Sequence, residues 1–330
     1  MRNRKLLVHA EPRHHLEVID SSDGVLESGC SKIKVSYSSL NYKDALAITG
    51  KARILKSFPM VPGIDAMGEI IETGSAYFEY GQKVLITGCN LGESYDGGLQ
   101  SIAMVPDEAL IPIPSNLSDL QCAFLGTAGF TAMLAVIRMN QNTILKSDLP
   151  ILVSGASGGV GSIACYILSS LGHEVHAISS RVDQTRERLM SLGCTKVLSL
   201  DSFLKPPKAL EKAQYSNYID NIGGAALESI LPKLDLYGNA MSIGLALGSD
   251  FKTTVMPHIL RGVSILGVSS NNCPRELRDR VWRELAQLPV GELMELVSYN
   301  IIGLNDCERV SEEIISGNHV GRSIVKLSDD

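Results

Sequence analysis

From Leu149 to about Ser270 the chain alternates between short apolar runs and helical stretches, and this rhythm constrains the fold more than any other feature. ILVSGA (151–156) leads into an apolar helical stretch ending at Gly172, and EVHAISS (174–180) follows. A charged helical stretch, VDQTRERLMSLG, runs on to KVLSL (196–200). Three more strand candidates come after it: NYIDNIG (217–223), GNAMSIG (238–244) and SILGVSS (264–270). Six short strands joined by helical crossovers predict an α/β fold with a doubly wound parallel sheet, whose strands are apolar on both faces because helices cover both.

The first turn of this region carries chemistry. A dinucleotide fingerprint needs G-x-G-x-x-G between a strand and a helix. Here the pattern is Ala156-x-Gly158-x-x-Gly161, with Gly155 just before it. Gly158 lets the backbone approach a pyrophosphate, and Gly161 lets the helix pack against the strand. The helix beginning near Gly159 aims free N–H groups and the positive end of its dipole at the phosphates. Gly158 and Gly159 are therefore cofactor candidates. In NAD-binding chains an acid about 20 residues further on holds the adenosine ribose hydroxyls. Here the second strand ends Ser179-Ser180-Arg181, with no acid before Asp183. A carboxylate repels a 2′-phosphate, whereas hydroxyls and a guanidinium bind it, so the cofactor reads as NADPH rather than NADH. The alternative is that Arg181 is a solvated residue at a helix start.

Around this region the texture differs. The first hundred residues are β-rich: KIKVSYSS (32–39) alternates like a half-buried strand, and GQKVLITG (81–88) is a short apolar run between glycines. Ser118 with Gln121 forms a capping box that opens an apolar helix toward Ile137. A helix from Pro274 to Leu288 and a last strand, SIVKLS, do not continue the rhythm. Residues 1–120 and 271–330 are accordingly assigned to one discontinuous domain, with 121–270 inserted as the nucleotide domain.

Composition narrows the function. The 330 residues carry a net charge of -6, which argues against a nucleic-acid binder. The N-terminus, MRNRKLLVHAEPRHH, has too short an apolar run for a signal peptide. The longest apolar segment, Ala123 to Ile137, is interrupted by Gly126, Thr127, Gly129 and Thr131, so no membrane span is expected and the cytoplasm is the default. Seven cysteines are scattered singly, which suits neither a zinc cluster nor a disulfide framework.

Several stretches together resemble the medium-chain dehydrogenase/reductase superfamily. They are SSLNYKDALAITGKARILKSFPMVPGIDAMGEI (38–70), GTAGFTAMLAVI (126–137), SGASGGVGS (154–162) and TTVMPHILR (253–261). The likeness is to the zinc-free, quinone-oxidoreductase-like branch and within it to the acrylyl-CoA reductase (AcuI/YhdH) family. The resemblance implies a GroES-like β-barrel catalytic domain with an inserted Rossmann domain. Where zinc-containing relatives carry a Gly-His-Glu motif, this chain has Gly63-Ile64-Asp65-Ala66, so no metal is expected. It also implies hydride transfer from NADPH to the β-carbon of an α,β-unsaturated thioester, followed by protonation at the α-carbon. That chemistry needs an electrophile for the enolate oxygen and a proton source. Asn41, Tyr42 and Lys43 are the catalytic candidates. Tyr42 or Lys43 is the proton donor or oxyanion partner, unless Tyr42 only walls the pocket and water supplies the proton. The resemblance carries over Ser157, Gly158, Gly159 and Val160 as pyrophosphate contacts and Leu245, Ile259, Ser270 and Arg322 as further cofactor contacts, Arg322 at an adenosine-side or substrate phosphate unless it only forms a surface salt bridge. Thr131, like Thr127, lies in the hinge helix, as a ligand contact or as core packing. SSNNCP (269–274) departs from the family pattern and leaves acyl-chain preference open.

Three functions follow: a short-chain 2-enoyl-CoA reductase, a quinone reductase of the same fold, and a non-enzymatic NADPH-binding protein. The first needs cations for the CoA phosphates, and Lys51, Arg53, Lys56, Arg275 and Arg278 are candidates if they are not simply solvated. The resemblance also implies a homodimer.

Overall fold

The computed structural model describes residues 2–328 and divides into two compact units. The first takes the chain up to Phe130, Ser270–Met294 and everything from Ser298 on; the second takes Thr131–Ser269 and Glu295–Val297. In chain order the first unit opens with β1 (Arg2–His9), β2 (His15–Ser22), β3 (Cys30–Leu40), α1 (Tyr42–Ile48), β4 (Asp65–Thr73), β5 (Lys83–Thr87), β6 (Ile102–Pro106) and β7 (Ile111–Pro112). Helix α2 (Asp119–Asn142) carries the chain out of it. The second unit then runs β8 (Ile151–Val153), α3 (Gly159–Ser170), β9 (Val175–Ser179), α4 (Val182–Ser191) and β10 (Cys194–Ser199). It continues with β11 (Tyr218–Asp220), α5 (Gly224–Ile230), β12 (Asn239–Ser242), α6 (Met256–Arg261) and β13 (Ser264–Gly267). The chain ends with α7 (Arg275–Leu285), α8 (Val290–Leu296), β14 (Tyr299–Ile302), α9 (Cys307–Ile315) and β15 (Arg322–Lys326).

The first unit is GroES-like: a curled, mainly antiparallel sheet of order β14-β15-β3-β4-β5-β7, with β6 also on β3. β3 is its centre. Its first half pairs with β4 and β6, its last residues pair with β15, and register shifts at Lys32/Ile33 and Val35/Tyr37 bend it between these partners. Ile33, Val35, Ile70, Val84, Ile86 and Val105 are fully buried inside the curl. The half-buried alternation expected of residues 32–39 does not hold, because neighbours cover both faces of the strand. Lys32 is consequently buried, its ammonium held 2.6 Å from Glu72 Oε2 and 2.9 Å from the Gly24 carbonyl.

The second unit is the doubly wound sheet. Its six strands are all parallel in the order β10-β9-β8-β11-β12-β13, so the winding reverses between β8 and β11. Open α/β sheets bind ligands at this switch point, beyond the strands' carboxyl ends.

Ser118 and Gln121 bond reciprocally, as a capping box does, at 2.9 and 3.2 Å. The helix they open is longer than the apolar segment read from the sequence. At 24 residues α2 is long and apolar enough, by length and composition, to cross a membrane, and 83% of its apolar window is buried inside the protein. Core burial therefore accounts for its composition. Gly126 breaks the helical geometry with φ 46° and ψ -151°. A Cβ at Gly126 would sit 2.5 Å from Ser39 Oγ and 2.6 Å from Asp65 Oδ2, so only glycine allows this approach.

Candidate active site

In the second unit, β8 ends at Val153 and the chain turns through Gly155, whose φ of +56° suits glycine. A Cβ on Gly161 would lie 2.3 Å from the Gly155 carbonyl oxygen, so α3 reaches the turn only because residue 161 has no side chain. Gly158, the N-cap of α3, is different: a Cβ there would meet nothing closer than 3.4 Å. A side chain would instead stand in the space in front of the helix. The first N–H groups of α3 have no intrahelical acceptors, and Gly158 has no side chain to cap them. The turn is shaped to receive an anion between its backbone and the helix dipole.

Two other strand ends frame this turn. Beyond β9, the buried Ser179 Oγ accepts a hydrogen bond from Arg181 N at 3.0 Å and contacts Thr185 Oγ1 at 2.9 Å. Ser179 thus helps secure the start of α4. Ser180 is exposed and Arg181 half-buried. From two turns along α4, Arg188 donates through Nη2 to the Ser157 carbonyl at 3.2 Å. Burial, and then the charge of Arg181, lower the pKa of Arg188. Beyond β11, Tyr218 Oη lies 2.8 Å from Ser154 Oγ and 2.9 Å from Asp220 Oδ1. That carboxylate oxygen also accepts from Gly223 N at 2.9 Å, and Asn221 Nδ2 donates to the Ser154 carbonyl at 2.7 Å. Burial pushes the Asp220 carboxyl above its ordinary value. This buried network joins the ends of β8 and β11 and braces the glycine turn from below.

The first unit holds a buried polar cluster around Asp65. Asp65 Oδ2 accepts from Ser39 Oγ, from Asn41 Nδ2 at 2.8 Å and from Thr127 N at 2.9 Å, while Oδ1 accepts from Thr127 Oγ1 at 2.6 Å. Asn41 is the N-cap of α1. Asp44, three residues on, accepts from Asn41 N at 2.8 Å and from Ile64 N at 2.9 Å. Burial, reinforced by the nearby Asp65 charge, pushes the Asp44 carboxyl up to about 7. Arg322, 3% exposed, donates to Asn41 Oδ1 at 3.0 Å and to the Phe124 carbonyl at 2.9 Å. Its remaining nitrogen, Nη2, is buried without a hydrogen-bond partner. Tyr42, the first residue of α1, is 42% exposed, and Lys43 pairs with Glu93 at 2.8 Å.

Both units match known family models. Residues 27–115 match the alcohol dehydrogenase GroES-like domain, and residues 159–287 match the zinc-binding dehydrogenase domain. The Escherichia coli K12 protein named probable acrylyl-CoA reductase AcuI is 41% identical over 304 residues, covering 92% of this chain and 93% of that one. The chain belongs to the medium-chain dehydrogenase/reductase family. Its place is the quinone-oxidoreductase-like AcuI/YhdH branch, and membership makes it a nicotinamide-dependent oxidoreductase. The yhdH oxidoreductase of Salmonella enterica, solved with NADP, is 38% identical with a TM-score of 0.94, covering 98% of this chain and 100% of that one. The Bacillus subtilis putative quinone oxidoreductase YhfP is 38% identical over 319 residues (95% of this chain, 94% of that one). Its structure, solved with NAD, aligns at a TM-score of 0.94 over 99% of this chain and 100% of that one.

In this enzyme the sequence-derived candidates fall into two sets. Asn41, Tyr42, Lys43, Ser270 and Arg322 belong to the first unit, and Asn41 and Arg322 meet directly. Ser157 to Val160, Ser179 to Arg181, Thr131, Leu245 and Ile259 belong to the second. Leu245 and Ile259 are 61% and 70% exposed, while Thr131 is buried. The departing SSNNCP segment docks on the loop after β5, where Asn271 Oδ1 accepts from Asn90 N at 3.0 Å and its carbonyl from Cys89 N at 3.0 Å. Among the CoA-phosphate candidates, Lys51, Arg53 and Lys56 are exposed. Arg275 pairs with Asp279 at 2.9 Å, and Arg278 is buried against the carbonyls of Glu108 and Ala109. Arg278 is therefore removed from that set. Among the described residues no three His, Cys, Asp or Glu side chains are grouped to hold a metal ion.

Sequence reasoning missed Asp65, Arg188 and Asn221. Asp65 had a signal, being a lone charge in the apolar run MVPGIDAMG. Arg188 had a weaker one, its spacing of seven from Arg181 on one helix face.

Proposed function

We propose that this chain is an NADPH-dependent reductase of the carbon–carbon double bond of a short 2-enoyl-CoA such as acrylyl-CoA. The observation that carries the cofactor is the uncapped glycine turn beside a β9 end with a guanidinium in place of an acid. The open space at Gly158 and the two arginines fit a phosphorylated dinucleotide. Ser157 to Val160 would hold its pyrophosphate, with Ser180 and Arg181 at the 2′-phosphate. The likeness to an acrylyl-CoA reductase over nearly the whole chain supports the substrate.

When bound, the nicotinamide supplies a hydride for the β-carbon of the thioester. The protein's own part is to bind, orient and protonate. Tyr42 has the one exposed hydroxyl of the Asn41-Tyr42-Lys43 cluster and serves as oxyanion partner or proton donor. Asn41 holds α1 in place through Asp44 and Asp65. Lys43, tied to Glu93, is the weaker donor. The exposed Lys51, Arg53 and Lys56 meet the CoA phosphates. The working form is a homodimer, with β13 as an open sheet edge able to pair. Seven free thiols suit the reducing cytoplasm.

Quinone reduction is the second reading. It is favoured by the name of the Bacillus subtilis relative and by the loss of Arg278 from the CoA-binding set. Steady-state oxidation of NADPH with acrylyl-CoA, crotonyl-CoA and a simple quinone separates the two. Thioester turnover supports the first reading; quinone turnover without thioester turnover supports the second. NADPH binding with no turnover would leave a binding protein.

A further inference from the structure

We propose that Arg188 is a second guanidinium contact for the 2′-phosphate of NADPH and helps set the preference for NADPH over NADH. The inference rests on the cofactor reading above and adds a residue to it. Arg181 is the N-cap of α4 and Arg188 lies seven residues on, two turns along the same face. Helical side chains lean toward the N-terminus, and Arg188 reaches the glycine turn, where Nη2 meets the Ser157 carbonyl at 3.2 Å. One guanidinium thus bridges the two segments that flank an adenosine phosphate in this fold.

The bridge leaves its charge unanswered. Arg188 has no carboxylate within ion-pair distance among the described residues, and its Nε is buried with no hydrogen-bond partner. A partly buried guanidinium without a carboxylate is unfavourable unless an anion reaches it. The lowered pKa of Arg188, from burial and then from Arg181, records that cost. A dianionic phosphate beside Ser180 and Arg181 removes it, and Arg188 retains donors for a forked contact after bonding Ser157.

The test measures binding rather than turnover. Dissociation constants for NADPH, NADH, 2′,5′-ADP and 5′-AMP are determined by calorimetry on the wild-type chain, Arg188→Gln and Arg188→Lys, with thermal melts as the folding control. Arg188→Gln is expected to weaken NADPH and 2′,5′-ADP by about tenfold or more and to leave NADH and 5′-AMP within about twofold. Arg188→Lys, which keeps the charge without the fork, is expected to fall between. Equal losses for NADPH and NADH would assign Arg188 to the turn or the pyrophosphate and overturn the proposal, as would no loss at all. A wild-type chain that binds NADPH and NADH equally would overturn the cofactor reading and this inference together. A wild-type preference unchanged in Arg188→Gln would remove Arg188 alone.

Discussion

The cluster around Asp65 and the turn around Gly158 are built from the same materials, buried carboxylates, guanidiniums and glycines, but they are finished differently. Around Asp65 the carboxylate is filled from within by Ser39, Asn41 and Thr127, and Arg322 is held by Asn41 and the Phe124 carbonyl, with only its Nη2 left unbonded. Gly126 there lets the backbone close onto the carboxylate. Around Gly158 the glycine opens space, the helix N-terminus is uncapped, and Arg188 has no carboxylate in reach among the described residues. A buried polar group without a partner is costly, so a filled carboxylate acts as a scaffold, whereas an uncapped helix start beside an unpaired guanidinium has room for an anion.

That contrast can be broken at several points. The largest effect is expected from Gly161→Ala, whose Cβ would press on the Gly155 carbonyl and push α3 off β8. It should destabilise by about 3 kcal/mol or more and abolish measurable 2′,5′-ADP binding; calorimetry and thermal melting check both. Asp65→Ala leaves Ser39, Asn41 and Thr127 without their acceptor and removes a charge that favours the buried Arg322, and should cost about 3 kcal/mol or more in denaturant unfolding. If the two regions are independent, the folded variant still binds 2′,5′-ADP as tightly as wild type. A parallel loss of nucleotide affinity would erase the distinction. Arg181→Gln should lower the NADPH-over-NADH preference in kcat/KM by about tenfold while leaving thermal stability nearly unchanged. The smallest effect is a slope. Folded Asp44 keeps its proton up to about pH 7, whereas in the unfolded chain it releases it near 3.8. Its contribution to stability is therefore complete below about pH 4 and is lost as pH rises toward 7. Asp44→Asn should flatten the fall in melting temperature across that window; parallel curves for variant and wild type would contradict the assignment.

Much of the second unit was legible because its signals are local. Six apolar runs and a glycine turn specify a doubly wound parallel sheet, and all six runs are strands of that sheet. The first unit was harder to read. Its central strand β3 exchanges partners along its length, so Lys32 can be buried where alternation predicts exposure. The site shows the same division. Gly158 and Gly161 could be found from spacing alone. Asp65 and Arg322 meet Asn41 from distant parts of the chain, and no local pattern records such a meeting. The motif around Arg322 was visible in the same way, but its burial was not. Arg188 was overlooked because its partner, the Ser157 carbonyl, is backbone and leaves no trace in residue identity.

The central claim is that this enzyme passes a hydride from NADPH to an enoyl thioester. The most direct test incubates it with NADPH deuterated at the transferable C4 position and acrylyl-CoA in ordinary water, and reads the product by mass spectrometry. Propionyl-CoA with one deuterium at C3 and solvent hydrogen at C2 is the predicted result. Unchanged acrylyl-CoA, under conditions in which a quinone consumes the same NADPH, would contradict it.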